Sequence, residues 1–496
     1  MAETAPTVRP IIGLEIHVQL RTRTKMFCAC PVRFGAPPNS CVCPVCLGHP
    51  GSLPVLNRLA VEQAMLAGLA LGCEIARFTK RDRKNYFYPD LPKNYQISQF
   101  DLPIASKGLF EFPVGAESKS VRIRRAHLEE DAGKNLHELP GSTLVDLNRA
   151  GTPLLEIVTE PDLTSAEEAY AFCTELQRLV TYLEVSEANM QKGQMRFEPN
   201  VNVALRSGET EIRTAICEIK NLNSFRSVKN AIDFEIQRHV ATWQTNPDYV
   251  FGRAPNENRG WDDDRGTTEF QRGKEAAHDY RYFPDPDLVP VVVSDAMLNE
   301  IRSRLTERPI ARRARFIREF GLAAKDAETI VDHRPTADLF EAAVLAGGPA
   351  EIVGKQFVNV WLKLAHDRGG SVTDLCVAAD RMAQLATMTA NGTVSKTAAN
   401  QIAEAMLNQS DSPLELADKL ELIQVQDTDA TQSWVDRAFV TNEQAVSDAL
   451  ANPKKKQAAI GFLRGQVMKA SGGKADPKLV GELIEKRLKA RNPTAP

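Results

Sequence analysis

Residues 11 to 20 read Ile-Ile-Gly-Leu-Glu-Ile-His-Val-Gln-Leu. Ile12, Leu14, Ile16, Val18 and Leu20 fall on one side, opposite Ile11, Gly13, Glu15, His17 and Gln19. A period of two predicts a β-strand with one apolar face. Similar alternation recurs at 118–125, 143–148, 154–158 and 200–205. Helical spacing intervenes at 165–182, where Ala169, Phe172, Leu176 and Leu179 lie near one face. The stretch 251–287 is rich in Gly, Asp, Asn, Arg and Pro, and is predicted to be a long loop region. Beyond about residue 296 the apolar residues take helical spacing, as in Ile352, Phe357, Val360, Trp361 and Leu364. Asn391-Gly392 marks a turn, and 408–413 a linker or helix break. Asp476-Pro477 opens a last helix with Leu479, Leu483 and Arg487 on one side. The pattern predicts an α+β chain: a sheet domain over 1–295, a helical domain over 296–408 and a helical tail over 409–496.

A chain of 496 residues is too long for one core, which agrees with several domains. With 43% apolar and 25% charged residues the composition is that of a globular protein. No apolar run approaches the roughly 20 residues of a membrane span. The start, Met-Ala-Glu-Thr-Ala-Pro, lacks the layout of a signal or transit peptide, so a cytoplasmic location is expected. A net charge of −3 argues against a simple polyanion binder. The charge is uneven, however. Residues 452–496 hold eleven Lys or Arg and three acidic residues, a net of +8, which leaves −11 for the rest. Lys454, Lys455, Lys456, Arg464, Lys469 and Lys474 are candidate contacts to RNA phosphate; a solvated helical face reads equally well from the charge alone.

Five of the nine cysteines, Cys28, Cys30, Cys41, Cys43 and Cys46, crowd into nineteen residues. In a reducing compartment that density points to metal rather than disulfides. Cys28-x-Cys30 and Cys43-x-x-Cys46 give two close pairs, enough for a tetrahedral Cys₄ zinc site. Cys41 can trade places with Cys28 or Cys30 in that set. The isolated Cys73, Cys173, Cys217 and Cys376 read as small buried hydrophobes.

Polar clusters interrupt the strands. Glu15 and His17 share a strand face and suit metal binding or proton transfer. His127-Leu-Glu-Glu-Asp-Ala-Gly-Lys134 concentrates three carboxylates, and Glu156 sits between Leu155 and Ile157, where burial is costly without a partner. Glu218 and Lys220 share another face. Carboxylates gathered on one sheet repel unless a cation joins them, and Mg²⁺ with substrate phosphates is the usual solution. Lys and Arg nearby suit phosphate. Taken singly, each cluster reads as a salt-bridge network; four in one domain favour a metal–nucleotide site. The chain has no P-loop, no G-x-G-x-x-G turn, no G-x-S-x-G elbow and no Gly-rich serine cluster.

These runs resemble, from end to end, the family of B components of aspartyl/glutamyl-tRNA amidotransferases. The resemblance rests on Gly13-Leu-Glu-Ile-His-Val-Gln-Leu20, Cys43-Pro-Val-Cys-Leu-Gly48, the run from Asp82 to Gln99, His127–Lys134 and Asp146–Val158. Lys220-Asn-Leu-Asn-Ser-Phe225, Arg259-Gly-Trp261 and His278-Asp-Tyr-Arg-Tyr-Phe-Pro284 add to it. It implies a glutamine-synthetase-like catalytic domain with a zinc-binding insertion at 28–46, followed by all-α domains. It implies that ATP phosphorylates the side-chain carboxylate of mischarged Glu-tRNA(Gln) or Asp-tRNA(Asn), and that ammonia displaces the phosphate. It implies two partners in a heterotrimer: an amidase-type component that releases ammonia from glutamine, and a small third component that binds both. The family's Mg²⁺ motif maps onto Glu15, His17, Glu129 and Glu130. Lys84, Tyr86, Tyr88, Asn148, Arg149 and Lys220 become expected contacts for ATP or the aminoacyl end. Phe197-Glu198-Pro199, Asn202, Asn258 and the extra Cys41 depart from the family pattern.

Overall fold

The alternation at 11–20 becomes the strand Thr7–Gln19, in the interior of a ten-stranded sheet. The computed structural model describes residues 7–491 apart from 116, 208–209, 275–278, 425–427, 452 and 473; the side chains of 138, 139, 207, 274, 451 and 453–455 also lie outside the description. From one edge the strands run Thr267–Lys274, Asn256–Asp262, Cys217–Lys220, Met195–Ser207, Thr7–Gln19, Pro153–Thr159, Glu117–Glu130, Ala105–Val114 and Glu74–Ile75, with Thr210–Arg213 paired beside Met195–Ser207. Neighbours are antiparallel except Cys217–Lys220 and Asn256–Asp262.

One face of this sheet is apolar. Ile12, Leu14, Ile16 and Val18 are at most 1% exposed and share a core with Phe172, Leu176 and Leu179 of the helix Ala166–Tyr182 and with Val228 and Ile232 of the helix Phe225–Thr245. Ser165 caps the first helix by accepting from the Glu168 N–H at 3.1 Å, and Glu167 and Glu168 complement its dipole. Each fully buried Ile, Leu or Phe contributes about 1.5–3 kcal/mol through loss of apolar surface to water. The other face is left for polar residues.

Two sequence expectations change. The stretch 251–287 is not one loop: it contains the antiparallel strands Asn256–Asp262 and Thr267–Lys274 at the sheet edge. Their apolar alternation is weak because Asn258 and Arg272 line a cleft while Phe270 is exposed. The 143–148 alternation gives Ser142–Asp146, which pairs with Lys134–Leu139 as a separate ribbon.

The chain forms two compact units, Met1–Ile310 and Ala311–Pro496. Among the described residues the regular elements of the second unit are helices, with extended pairing confined to isolated bridge positions such as Val394 with Ile423. Phe316, Phe340 and Phe357 pack in its interior, tilted in the first pair and edge-to-face in the second, with neighbouring centroids 5.0 and 5.6 Å apart. The helix Pro413–Lys419 packs on Ala379–Ala390 and Lys396–Met406, so the break at 408–413 is a turn within one packed group. A separate core follows, built from Val435, Phe439, Leu463, Val467, Val480 and Ile484. The sheet followed by helices makes the fold α+β. No helix among the described residues is long and apolar enough to cross a membrane.

The last helix, Pro477–Arg491, starts as expected: Asp476 Oδ1 accepts from the N–H groups of Lys478 at 2.7 Å and Leu479 at 3.3 Å. Asp476→Ala strands these donors and is expected to destabilise this helix by about 0.5–2 kcal/mol. Hydrogen exchange of the full chain checks this; unchanged protection at 477–491 contradicts it.

Candidate active site and metal centre

Strand register, not sequence proximity, assembles the site. His17 lies opposite Glu156 on one neighbouring strand and Arg196 on the other. Glu156 in turn faces His127, and Leu154 faces Glu129. Directly opposed residues share a sheet face, so His17, His127, Glu129, Glu156 and Arg196 all project from the polar side. Glu15, two residues before His17, joins them and faces Glu198. Asn200 faces Glu218, and Lys220 follows two residues on.

His17 Nε2 lies 3.3 Å from Glu129 Oε1 and 3.6 Å from Glu156 Oε2. His127 Nε2 lies 3.3 Å from Glu156 Oε2. Ligand atoms of His17, Glu129 and Glu156 are all within 4.8 Å of one another, a spacing that can hold one metal ion. Burial works against a charged imidazole at His17, yet its hydrogen bonds to Glu129 and Glu156 carry its pKa up to about 10. Burial also opposes ionisation of Glu156, but His127 and His17 hold it well below the usual carboxylate range. Glu15 is pushed upward by burial and by Glu156, Glu218 and Glu198; Asn200 Nδ2 donates to it at 3.2 Å. The buried His17 Nδ1, His127 Nδ1 and Glu129 Oε2 have no hydrogen-bond partner among the described residues. This mutually repelling, under-satisfied oxygen and nitrogen set fits a divalent cation.

A cavity of about 620 Å³ opens above this trio. Cations ring it. Lys220 Nζ pairs with Glu198 at 2.5 Å and Glu218 at 2.6 Å, and Arg196 Nη2 pairs with Asp131 at 3.1 Å. Lys84 Nζ sits 4.9 Å from the Tyr280 ring centroid and 5.9 Å from that of Tyr86. Burial opposes its charge, but Glu129, with Tyr282, Glu156 and Tyr86, raises its pKa. Carboxylates on the floor and ammonium or guanidinium groups on the walls can position polyphosphate.

The cysteine loop forms a second, separate centre. The sulfurs of Cys28, Cys30, Cys43 and Cys46 lie within 4.8 Å of one another. The turn 43–48 is closed by Leu47 N–H to Cys43 O at 3.0 Å and Gly48 N–H to Val45 O at 3.1 Å. Gly48 has φ +68°, and a Cβ there would sit 3.1 Å from the Lys93 backbone, so glycine is required. A hydrogen bond from the Cys28 thiol, with the Cys43 backbone N–H and Lys25, lowers the Cys46 pKa to about 4, and the same contact pushes Cys28 upward. Thiolate character is what a metal ligand needs. Cys41 stays outside: its N–H donates to Asn148 Oδ1 at 2.8 Å and its sulfur approaches Ser40 Oγ at 3.9 Å.

The model of the GatB/GatE catalytic domain matches residues 10–299, and that of the GatB domain matches 338–488. The chain belongs to the GatB/GatE family. Curated relatives are named as the B component of aspartyl/glutamyl-tRNA(Asn/Gln) amidotransferase. The protein from Thermoanaerobacter pseudethanolicus is 44% identical over 478 residues, covering 96% of this chain and 98% of its own. That from Geotalea daltonii is 44% identical over 484 residues, 97% of this chain and 99% of its own. That from Prosthecochloris aestuarii is 42% identical over 478 residues, 96% and 97% respectively. This chain is thus one component of a glutamine-dependent tRNA amidotransferase, a ligase-type enzyme.

Within this GatB/GatE family member, the residues expected from sequence divide. Glu15, His17, Glu129, Lys84, Tyr86 and Lys220 line the one cavity. Glu130 does not join them, which corrects the expected quartet of Glu15, His17, Glu129 and Glu130. Successive strand residues point to opposite faces. Glu130 therefore turns away, paired with Lys93 and accepting from the Ile97 N–H at 3.0 Å. Glu156 takes its place in the trio. Tyr88 is exposed and lines an adjoining cleft of about 900 Å³ that shares Lys84, Tyr86 and Lys220. Asn148 and Arg149 lie elsewhere: Asn148 braces the cysteine loop through Cys41 and Pro37, and Arg149 donates to the Ala132 and Gly133 carbonyls. The departures Glu198 and Asn258 fall at the site, Glu198 as the partner of Lys220. Arg196 and Arg272 carry no sequence signal beyond lying in polar stretches, and His127 is marked in the sequence only as the start of a motif run; pairing brings them here.

A third buried group, Cys217, Glu235 and His239, also has metal-like spacing. There Glu235 is already taken by Arg238 at 2.8–3.0 Å and by Thr268 at 2.5 Å, which makes it a structural network. In the tail, Lys456, Arg464 and Lys469 are exposed, whereas Lys474 pairs with Glu421 at 2.9 Å. The side chains of Lys454 and Lys455 lie outside the described residues.

Proposed function

We propose that this chain binds mischarged Glu-tRNA(Gln), Asp-tRNA(Asn) or both, phosphorylates the side-chain carboxylate with ATP, and admits ammonia to form the amide. The observation that carries this reading is the His17–Glu129–Glu156 trio under a cation-walled cavity on one sheet face. A carboxylate is a poor electrophile, and an acyl phosphate is a good one. His17, Glu129 and Glu156, with Glu15 beside them, would hold Mg²⁺, which would neutralise charge on a transferring phosphoryl group. Lys84 and Lys220 bind phosphate oxygens, and Tyr86 and Tyr88 border the entry for the nucleotide or aminoacyl end. Asn148 and Arg149 act indirectly, by holding the 132–149 segment and the cysteine loop. Cys28, Cys30, Cys43 and Cys46 hold zinc as a structural centre.

The partners follow from chemistry the chain lacks. Among the described residues there is no nucleophile constellation for releasing ammonia from glutamine, so an amidase-type glutaminase component supplies it, with a small third component completing a cytoplasmic heterotrimer. The proposed division is a catalytic domain over 1–295, a helical domain over 296–408 and a basic tail over 409–496, whose first helix, Pro413–Lys419, packs back on the helical domain. The deciding experiment is reconstitution with the amidase-type and small components, ATP and each mischarged tRNA, reading amidated aminoacyl-tRNA. No product with either tRNA defeats the proposal.

The tail grips tRNA through phosphate. Replacing Lys456, Arg464 and Lys469 together by Ala is expected to weaken tRNA binding, with the salt slope flatter by about 0.9 per lost duplex phosphate contact. Filter binding at several salt concentrations measures this. Equal affinity and slope identify a solvated helical face instead.

A further inference from the structure

Lys25 is a buried amine without a carboxylate. The residue is 1% exposed, and no ion pair joins it to an acidic residue among the described residues. Its Nζ donates to Cys46 Sγ at 3.5 Å and to the Leu147 carbonyl at 3.3 Å. Its backbone is clamped within the cysteine loop, with Lys25 N–H on Cys30 O at 3.0 Å and the next N–H, of Met26, on Gly151 O at 2.7 Å. Gly151 has φ +84°, and a Cβ there would lie 3.5 Å from Lys25 Cδ and 3.6 Å from Cys46 Cβ. The segment around 147–151 thus lies over both side chains, at ordinary van der Waals distance even from an added Cβ.

A buried ammonium without a counter-charge is expensive. A half-buried zinc tetrathiolate, with only Cys46 fully buried, carries the opposite excess: four thiolates around a dication leave a net charge of about −2. Here each supplies what the other lacks. We propose that Lys25 is the built-in counter-cation of the cysteine centre. Its N–H···S bond to Cys46 offsets the thiolate charge, and its bond to Leu147 ties the centre to the turn that leads into the strand of Glu156. Lys25 is a positioning residue: it acts through the sulfur and touches no substrate. The inference rests on the zinc reading given above.

The test uses the full-length chain and three variants, Lys25→Met, Lys25→Gln and Lys25→Arg. Chelator competition reads zinc affinity, and cobalt substitution reads the sulfur-to-metal charge-transfer bands. Outer-shell partners of metal ligands typically hold about 10–100-fold in affinity. Lys25→Met and Lys25→Gln are expected to lose affinity in that range and to shift the cobalt bands. Lys25→Arg, which keeps the charge, is expected to retain most of the affinity. If Lys25→Met does not fold, the Arg–Gln comparison decides alone: equal affinities and unshifted bands in those two overturn the proposal. Wild-type protein that holds no zinc overturns the zinc reading itself, and this inference with it.

Discussion

Glu156→Gln is expected to lower ammonium-dependent amidation and tRNA-dependent ATP hydrolysis by about a thousandfold. Polarisation by a bound cation contributes several kcal/mol to charge stabilisation, and each 1.4 kcal/mol or so is a factor of ten. Glu156 touches both His17 and His127, at 3.6 and 3.3 Å, so its loss disturbs the whole trio. Supplying ammonium bypasses the glutaminase partner, which isolates the chemistry of this chain. Glutamine hydrolysis by the partner is expected to survive. Activity within a few-fold of wild type shows the trio to be a salt-bridge network. Glu130→Gln is the informative contrast. Its carboxylate faces away and pairs with buried Lys93, so the change strands that lysine and costs about 3–5 kcal/mol of stability. Mg²⁺ affinity at the trio is expected to persist in Glu130→Gln and to fall in Glu156→Gln.

Removing the cysteine centre is the second large effect. Purified chain is expected to hold about one zinc, and Cys46→Ser to lose it. Structural zinc contributes about 10–16 kcal/mol in isolated zinc-finger peptides near neutral pH, which is comparable to the whole stability of a typical domain. The loop from 28 to 46 is expected to lose hydrogen-exchange protection along with the metal. Cys41→Ser is expected to keep full zinc, because its backbone N–H is held by Asn148 and its sulfur lies outside the quartet. Metal analysis of the two variants separates the possibilities. Zinc lost from Cys41→Ser and kept in Cys46→Ser reverses the ligand assignment, and a stably folded zinc-free native chain removes the centre altogether.

Much of this was legible in one dimension. The apolar face Ile12–Leu14–Ile16–Val18, the helix over 166–182 and the Asp476 cap are local signals, because period and capping depend on residues a few positions apart. The gathering of Cys28, Cys30, Cys43 and Cys46 into a group that could hold a metal was legible in their close pairing, and Glu15 with His17 as a polar strand face. The long motifs made the family legible as well. Sequence spacing left Cys41 open; in the fold the sulfurs that gather within 4.8 Å of one another are those of Cys28, Cys30, Cys43 and Cys46.

The edge strands at 256–262 and 267–274 were illegible because one face lines a polar cleft at Asn258 and Arg272, while the other mixes buried Trp261 and Thr268 with exposed Phe270, which erases the alternation. The site itself was decided by register. Glu129 and Glu130 are chemically identical neighbours, and nothing local says which of them faces the cavity. The antiparallel pairing of Leu154 with Glu129, and of Glu156 with both His17 and His127, settles it. Those partners are separated by up to about 140 residues of chain, so a shift of one position in pairing would turn Glu130 inward and Glu129 outward. Residue types and their spacing determined that this chain would gather carboxylates, imidazole and cations on a sheet. Strand pairing alone determined which of them meet, because a strand's two faces differ by a single residue step.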